Sequence, residues 1–92
     1  SKLTKVLRRR AGAAKSCYER ELKKNRKISG KVVAQLVINE RGRTESCKVL
    51  KHIAAAPAVG KCICQKAKSW RFPKPDGGKV IVPVPYIFSP QG

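Results

Sequence analysis

Four cysteines and one histidine are the residues of this chain best suited to covalent or metal chemistry. The cysteines are Cys17, Cys47, Cys62 and Cys64, and the single histidine is His52. Four cysteines in a small basic chain first suggest disulfides, and four thiols allow three connectivities. Two disulfides would indicate an oxidising compartment such as the periplasm.

A structural zinc site and a catalytic thiol are the alternatives for the same residues. Zinc would use Cys47, His52, Cys62 and Cys64, but a Cys-x-Cys pair fits poorly with the usual spacing of zinc ligands. A catalytic cysteine needs a base that is itself oriented, and no acidic residue lies near His52 in sequence. We interpret His52 as a surface loop residue, and we predict no catalytic residue, metal ligand or cofactor. The chain is therefore not expected to be an enzyme.

The length of 92 residues predicts one domain, spanning residues 1–92, in which about the first ten could be a linker or the frayed start of a helix. The sequence contains no run of about 18 apolar residues, so no membrane span is predicted. The sequence has no methionine and no signal-peptide pattern. We therefore expect it to be cut from a longer protein or processed, with its targeting information missing.

The formal charge of +17 comes from 22 basic and 5 acidic residues. Charge of this size attracts polyanions over roughly a Debye length, ~8–10 Å in ordinary salt. The basic residues are densest between Lys2 and Lys27. Two interpretations stay open, namely a solvated face that keeps the protein soluble and a surface that contacts a polyanion.

The spacing of apolar residues predicts helix, two strands, helix and strand in that order. A stripe with spacings of three and four residues predicts one helix over residues 3–25: Leu3, Leu7, Ala11, Ala14, Tyr18 and Leu22. Residues 31–39 and 43–51 are predicted strands joined by a tight turn at Gly42, with Cys47 and Val49 on the buried face of the second. The second helix is predicted over residues 57–69 and the last strand over residues 79–88.

The C-terminal third holds most of the aromatic residues, and there we expect most of the core. Trp70 and Phe72 alternate with Arg71, so both rings should face one side and be buried. The predicted second helix leads directly into this Trp-Arg-Phe-Pro segment. A Gly-Gly turn and the run from Val80 to Phe88 follow.

These motifs together resemble the TonB C-terminal-like domains of the AgmX/PglI type, which belong to adventurous gliding-motility proteins. The shared features are Cys17-Tyr18-Glu19 on a helix, a Gly-Arg hairpin, a helix with one cysteine, the segment Trp70-Arg71-Phe72-Pro73 and a last strand rich in Tyr and Phe. The resemblance covers roughly residues 10 to 90. It implies an α+β fold of the TonB/TolA C-terminal kind, with the order α-β-β-α-β and two helices packed on one face of a three-stranded antiparallel sheet.

The resemblance also implies a disulfide. Cys17 and Cys62 match the cysteines of the family pattern, and their bond would join the two helices over the sheet. Cys47 and Cys64 have no counterpart there. If they form a second bond, it ties the second strand to the second helix.

In TonB-like domains the final strand lies at a sheet edge, where an extended segment of a partner can add as another strand. The resemblance transfers this role to Lys79, Val80, Ile81, Val82, Val84, Tyr86 and Ile87. Pro83 and Pro85 remove two backbone donors from one side of the strand. They either protect the edge from unwanted pairing or shorten the partner strand that fits.

The function expected from the resemblance is that of a periplasmic adaptor. It would dock an envelope-spanning, energy-transducing or gliding-motility complex onto a periplasmic or outer-membrane protein, as part of a protein anchored in the inner membrane. Its charge would favour an anionic envelope polymer or lipid surface, and pairing of edge strands between copies would give a homodimer. No small-molecule substrate is expected. The alternative is a basic nucleic-acid-binding domain, although the sequence lacks helix-turn-helix or zinc-finger spacing and the aromatic set of an RNA-binding sheet.

Overall fold

A computed structural model describes residues 2–90 of the chain. Its elements in order are α1 (Lys2–Arg9), α2 (Ala11–Leu22), β1 (Gly30–Ile38), β2 (Thr44–Lys51), α3 (Ala58–Ala67) and β3 (Val80–Phe88). The predicted α+β class and the three-stranded antiparallel sheet are confirmed.

None of the described helices is long and apolar enough to cross a bilayer.

The first predicted helix is divided in two, so the prediction of one continuous helix was wrong. The backbone turns at Arg10, where φ is −93° and ψ is −1°, and no side chain caps the start of α2. Burial near the turn also departs from the predicted stripe, since Val6, which is not part of it, is buried whereas Ala11, which is, is exposed. Gly12 lowers the helix propensity of the segment just after the break.

The strands lie in the order β2-β1-β3, so β1 is central and β3 forms one edge. Every second residue of β1 from Val32 to Ile38 is fully buried. The expectation that most of the core lies in the C-terminal third was therefore wrong, since its centre is β1 with α2 and α3. The largest fully buried side chains are Leu36, Ile38, Ile63, Val32, Val59 and Cys17.

The helices α2 and α3 cover one face of the sheet. Gly60 of α3 lies directly over β2, and a Cβ on Gly60 would be 3.0 Å from Val49 Cγ1. The predicted orientation of Val49 toward the core is thereby confirmed. Glycine in a helix costs roughly 1 kcal/mol relative to alanine, and here it allows close approach of helix and strand.

The segment after α3 attaches to the β1–β2 hairpin. Trp70 and Phe72 are buried, as predicted, and the Phe72 N–H donates to the Gly42 carbonyl at 2.7 Å. Gly42 has φ of +82°, and a Cβ at this position would overlap the Phe72 carbonyl oxygen. Only glycine fits here, because both the backbone conformation and the neighbouring chain exclude a side chain.

Candidate partner-binding edge

Two disulfides fix the helical layer that borders the candidate site. Cys17 pairs with Cys62 and Cys47 with Cys64, with Cα atoms 5.8 and 5.3 Å apart. These are the pairs expected above, and the orientation of Cys47 toward the helical layer is confirmed with them. Because both bonds end on α3, this helix is tied to α2 on one side and to β2 on the other.

The disulfides also occupy every sulfur that the zinc and catalytic-thiol alternatives require. His52 is exposed in the loop after β2, in agreement with its interpretation as a surface residue. Among residues 2–90 there is no group of three or more side chains placed to hold a metal ion.

The outer edge of β3 is the clearest candidate site. The strand pairs with β1 without interruption from Val80 to Phe88, with Pro83 opposite Gln35 and Pro85 opposite Val33. A proline has no N–H to give to β1, so odd-numbered residues of β3 direct their backbone groups outward. The outer edge then offers N–H donors at Ile81 and Ile87, and carbonyl acceptors along its whole length.

The side chains of β3 alternate between two surroundings. Val84 is opposite Ala34 and is buried beneath the helical layer, and Val80, Val82 and Tyr86 lie on the same side, partly buried. Ile81 and Ile87 point to the other face and keep 63% and 82% of their surface exposed. Of the residues predicted for this site, Lys79 lies just before the strand begins.

A groove runs between α2 and the C-terminal end of β3. It has a volume of about 520 Å³, and its walls include Lys15, Tyr18 and Leu22 on α2 and Tyr86 and Phe88 on β3. A second hollow of about 480 Å³ adjoins it and adds basic residues to the rim: Lys23 and Arg26. An added strand at the outer edge of β3 would lie beside this groove.

Three aromatic rings that line the groove stack on one another. The Tyr18 hydroxyl donates to the Ile28 carbonyl at 2.6 Å, and the Tyr18 ring stacks on Phe88. Tyr86 also stacks on Phe88, with ring centroids 6.0 Å apart. Burial raises the pKa of both tyrosines, because it disfavours the charged phenolate.

Tyr86 differs from Tyr18 in one respect. Its hydroxyl oxygen is buried and, within the described residues, has no hydrogen-bond partner. A buried hydroxyl normally has a partner, and leaving it without one costs free energy. A ligand that reached the hydroxyl from the groove would remove this cost.

An ion pair lies at the N-terminal end of β3. Lys79 Nζ lies 2.8 Å from a Glu45 carboxylate oxygen. This hydrogen bond and the accompanying charge attraction raise the pKa of Lys79. Both side chains are exposed to solvent, so the pair contributes little to stability.

The α2 wall of the groove was not expected from the sequence. Lys15 and Leu22 were placed on a helix, but they are separated from β3 by more than half of the chain. No local sequence pattern predicts that α2 and β3 are in contact. The Cys17–Cys62 bond is the nearest signal, since it locates α2 on the same face as α3.

No family model, curated protein or solved structure matches this chain significantly.

Proposed function

We propose that this chain is a non-enzymatic docking domain that binds an extended segment of an envelope protein along the outer edge of β3. The observation that carries the proposal is the combination of an unpaired backbone edge with an adjoining groove of about 520 Å³. Strand addition uses the backbone for affinity and pockets for alternate side chains for specificity. The edge and the groove would supply these two parts.

Pro83 and Pro85 determine which backbone hydrogen-bonding groups an added strand must provide. Opposite Pro83 and Pro85 it can only donate N–H groups to carbonyls, whereas at Ile81 and Ile87 it can also accept. Beside the C-terminal end of β3, side chains of the added strand on the helical side would reach the groove and meet Tyr18 and Leu22. Lys15, Lys23 and Arg26 outnumber Glu19 at the rim and so favour acidic residues next to the apolar ones, since opposite charges speed and orient association.

The cellular setting follows from the resemblance to TonB C-terminal-like domains and from the cysteines. Two disulfides fit an oxidising compartment such as the periplasm. The domain would be the C-terminal part of a protein anchored in the inner membrane and would belong to an energy-transducing or gliding-motility complex. A charge of +17 would add attraction to an anionic envelope polymer or lipid surface.

In-cell photo-crosslinking of the intact parent protein tests this proposal. A photoreactive residue at Lys15 or Lys23 lies on the α2 side of the groove, and one at the exposed Lys61 on α3 serves as the matched control. We expect the groove positions to capture the same envelope protein and the Lys61 position to capture none of it. Capture of no protein at the groove, or equal capture at all three positions, would refute docking at this edge.

The second candidate is nucleic-acid binding, which the charge of +17 favours. Attraction to phosphates alone would be sequence-independent and would weaken steeply with salt. Any protein this basic binds DNA at low salt, so the deciding measurement is a preference among nucleic acids at physiological salt. A defined sequence or structural preference there would replace the docking proposal.

A further inference from the structure

The face of the sheet opposite the helices carries an apolar strip. It consists of Ile81, Pro83, Pro85 and Ile87 on β3, together with Val33 and Val37 on β1. The register places Ile81 beside Val37 and Pro85 beside Val33, while the half-buried Gln35 lies beside Pro83 between the two valines. The β3 side chains form a continuous apolar row. The β3 members of the strip are all exposed.

Such a strip is unusual on the solvent side of an antiparallel sheet. A sheet covered on one face normally alternates apolar residues inward with polar residues outward. In β3 the outward positions are apolar as well, so the strand is apolar on both faces. Continuous exposed apolar patches in a small soluble protein mark interaction surfaces.

Basic residues border the strip on its β2 side and at one end, where the exposed Lys31 of β1 lies opposite Ile87. On the same face Lys48 lies opposite Gln35 and Lys51 opposite Val33, and both lysines are exposed on β2. Leu50, half exposed beside Lys51, has no partner in the register. The acidic Glu45 lies beyond this margin and is paired with Lys79.

We infer that this open face is a second docking surface, and that its occupant is an amphipathic helix of a partner protein with acidic residues along one flank. The strip from residue 81 to residue 87 is ~20 Å long, which matches about 13 residues of helix. The strand β2 lies ~10 Å from β3 across the sheet, which is about the width of a helix. A helix lying along β3 would therefore hold one flank above Lys48 and Lys51.

Charge and shape favour an amphipathic helix over two other partners, namely a second copy of this chain and a lipid bilayer. A second copy would bring another +17 charges to a basic face, which opposes self-association through it. A bilayer presents negative charge in all directions around an inserted patch, whereas the basic residues here lie on the β2 side of the strip and at one end. A helix with one acidic flank matches this asymmetry.

A display library of designed amphipathic helices, about 14 residues long, tests the inference. The helices share one apolar face, while each flank varies among Glu, Gln and Lys. Selection on the oxidised domain should enrich helices with Glu along a single flank. Binding of the selected helices should fall about tenfold or more in I81S/I87S, whose changes are at exposed positions, and in K48E/K51E.

K61E/K68E provides the matched control, because it makes the same charge change on exposed residues of α3 and its C-terminal end. We expect it to change binding by less than about twofold at physiological salt. Enrichment without a flank preference, or binding that survives I81S/I87S, would overturn the inference. So would failure to select any helix while vesicles containing phosphatidylglycerol bind in a manner that requires Ile81 and Ile87, since the face would then be a lipid surface.

The outcome is independent of docking at the β3 edge. Photo-crosslinking from Lys15 and Lys23 reports on the groove, which Ile87 lines but Lys48 and Lys51 do not. Loss of helix binding in K48E/K51E with unchanged crosslinking from Lys15 would show two separate surfaces.

Discussion

The ring of Tyr18 stacks on the ring of Phe88, with centroids 4.7 Å apart and planes inclined by 11°. This contact joins the middle of α2 to the last residue of β3, two segments at opposite ends of the chain. Both rings line the groove beside the sheet edge. The position of α2 therefore determines whether an added strand contacts a groove lined by side chains or only the backbone edge of β3.

The two tyrosines give a matched pair of hydroxyl deletions. Tyr18→Phe keeps the ring stack but removes the 2.6 Å hydrogen bond to the Ile28 carbonyl, and should lower the free energy of unfolding by about 1–2 kcal/mol. Tyr86→Phe removes a hydroxyl that has no partner in the described residues, and should leave stability unchanged or raise it. Urea unfolding of both variants measures the difference. Equal losses would contradict the hydrogen-bond assignment.

Alkaline pH should destabilise the domain through the same tyrosines. Burial raises the pKa of both above the ordinary value of 10.0. The folded state therefore keeps protons that the unfolded state has already lost, so stability is unaffected below about pH 10 and falls as pH rises above it. Absorbance titration of the phenols should show both titrating later in the folded protein than in urea. Coincident titration curves would contradict this burial.

The two disulfides should differ in their contribution to stability. Cys17–Cys62 spans 45 residues and Cys47–Cys64 spans 17. In the chain-entropy model the losses on removal are ~4 and ~3 kcal/mol, because a longer loop restrains the unfolded chain more. We expect C17A/C62A to be less stable than C47A/C64A in chemical denaturation at pH 7. The opposite order would indicate that the link between α3 and β2 matters more than loop length.

Comparing alanine substitutions at Gly42 and Gly77 distinguishes the stability cost of a steric overlap from that of backbone strain. Their φ angles are +82° and +84°, but a Cβ meets the Phe72 carbonyl only at Gly42 and lies in open space at Gly77. Gly77→Ala should cost about 1 kcal/mol, and Gly42→Ala should cost roughly 2–3 kcal/mol or more. Thermal unfolding of the two variants measures this, with Trp70 fluorescence as a local probe. Similar losses would mean that strain alone decides both positions.

The prolines of β3 can be tested by restoring the missing donors. In P83V/P85V the outer edge gains two N–H groups, and we expect the protein to dimerise through this edge at high salt, where charge repulsion is screened. The exposed Pro73→Val is the control, since it lies outside the sheet. Light scattering gives the mass. A monomeric P83V/P85V that binds its partner strand differently would favour the alternative, in which the prolines select the length of that strand.

Local patterns were sufficient for most of the secondary structure. The alternation in β1, the Gly42 turn and the periodicity around Val59 and Cys62 located both hairpin strands and α3 within a few residues. They failed at Arg10, because the apolar spacing continues across the break between α1 and α2. They also placed the core too near the C-terminus, since aromatic rings are large but the aliphatic β1 lies at the centre of the sheet.

The sequence by itself determined which residues alternate, which turns need glycine, how many thiols can pair and how much positive charge the surface carries. Only the tertiary structure decided the rest: that α2 forms one wall of a groove beside β3, that the Tyr86 hydroxyl is buried without a partner among residues 2–90, and that Lys48 and Lys51 border an apolar strip. The physical reason is distance along the chain. These arrangements join segments separated by tens of residues, and such neighbours are chosen by packing of the whole core rather than by any local preference.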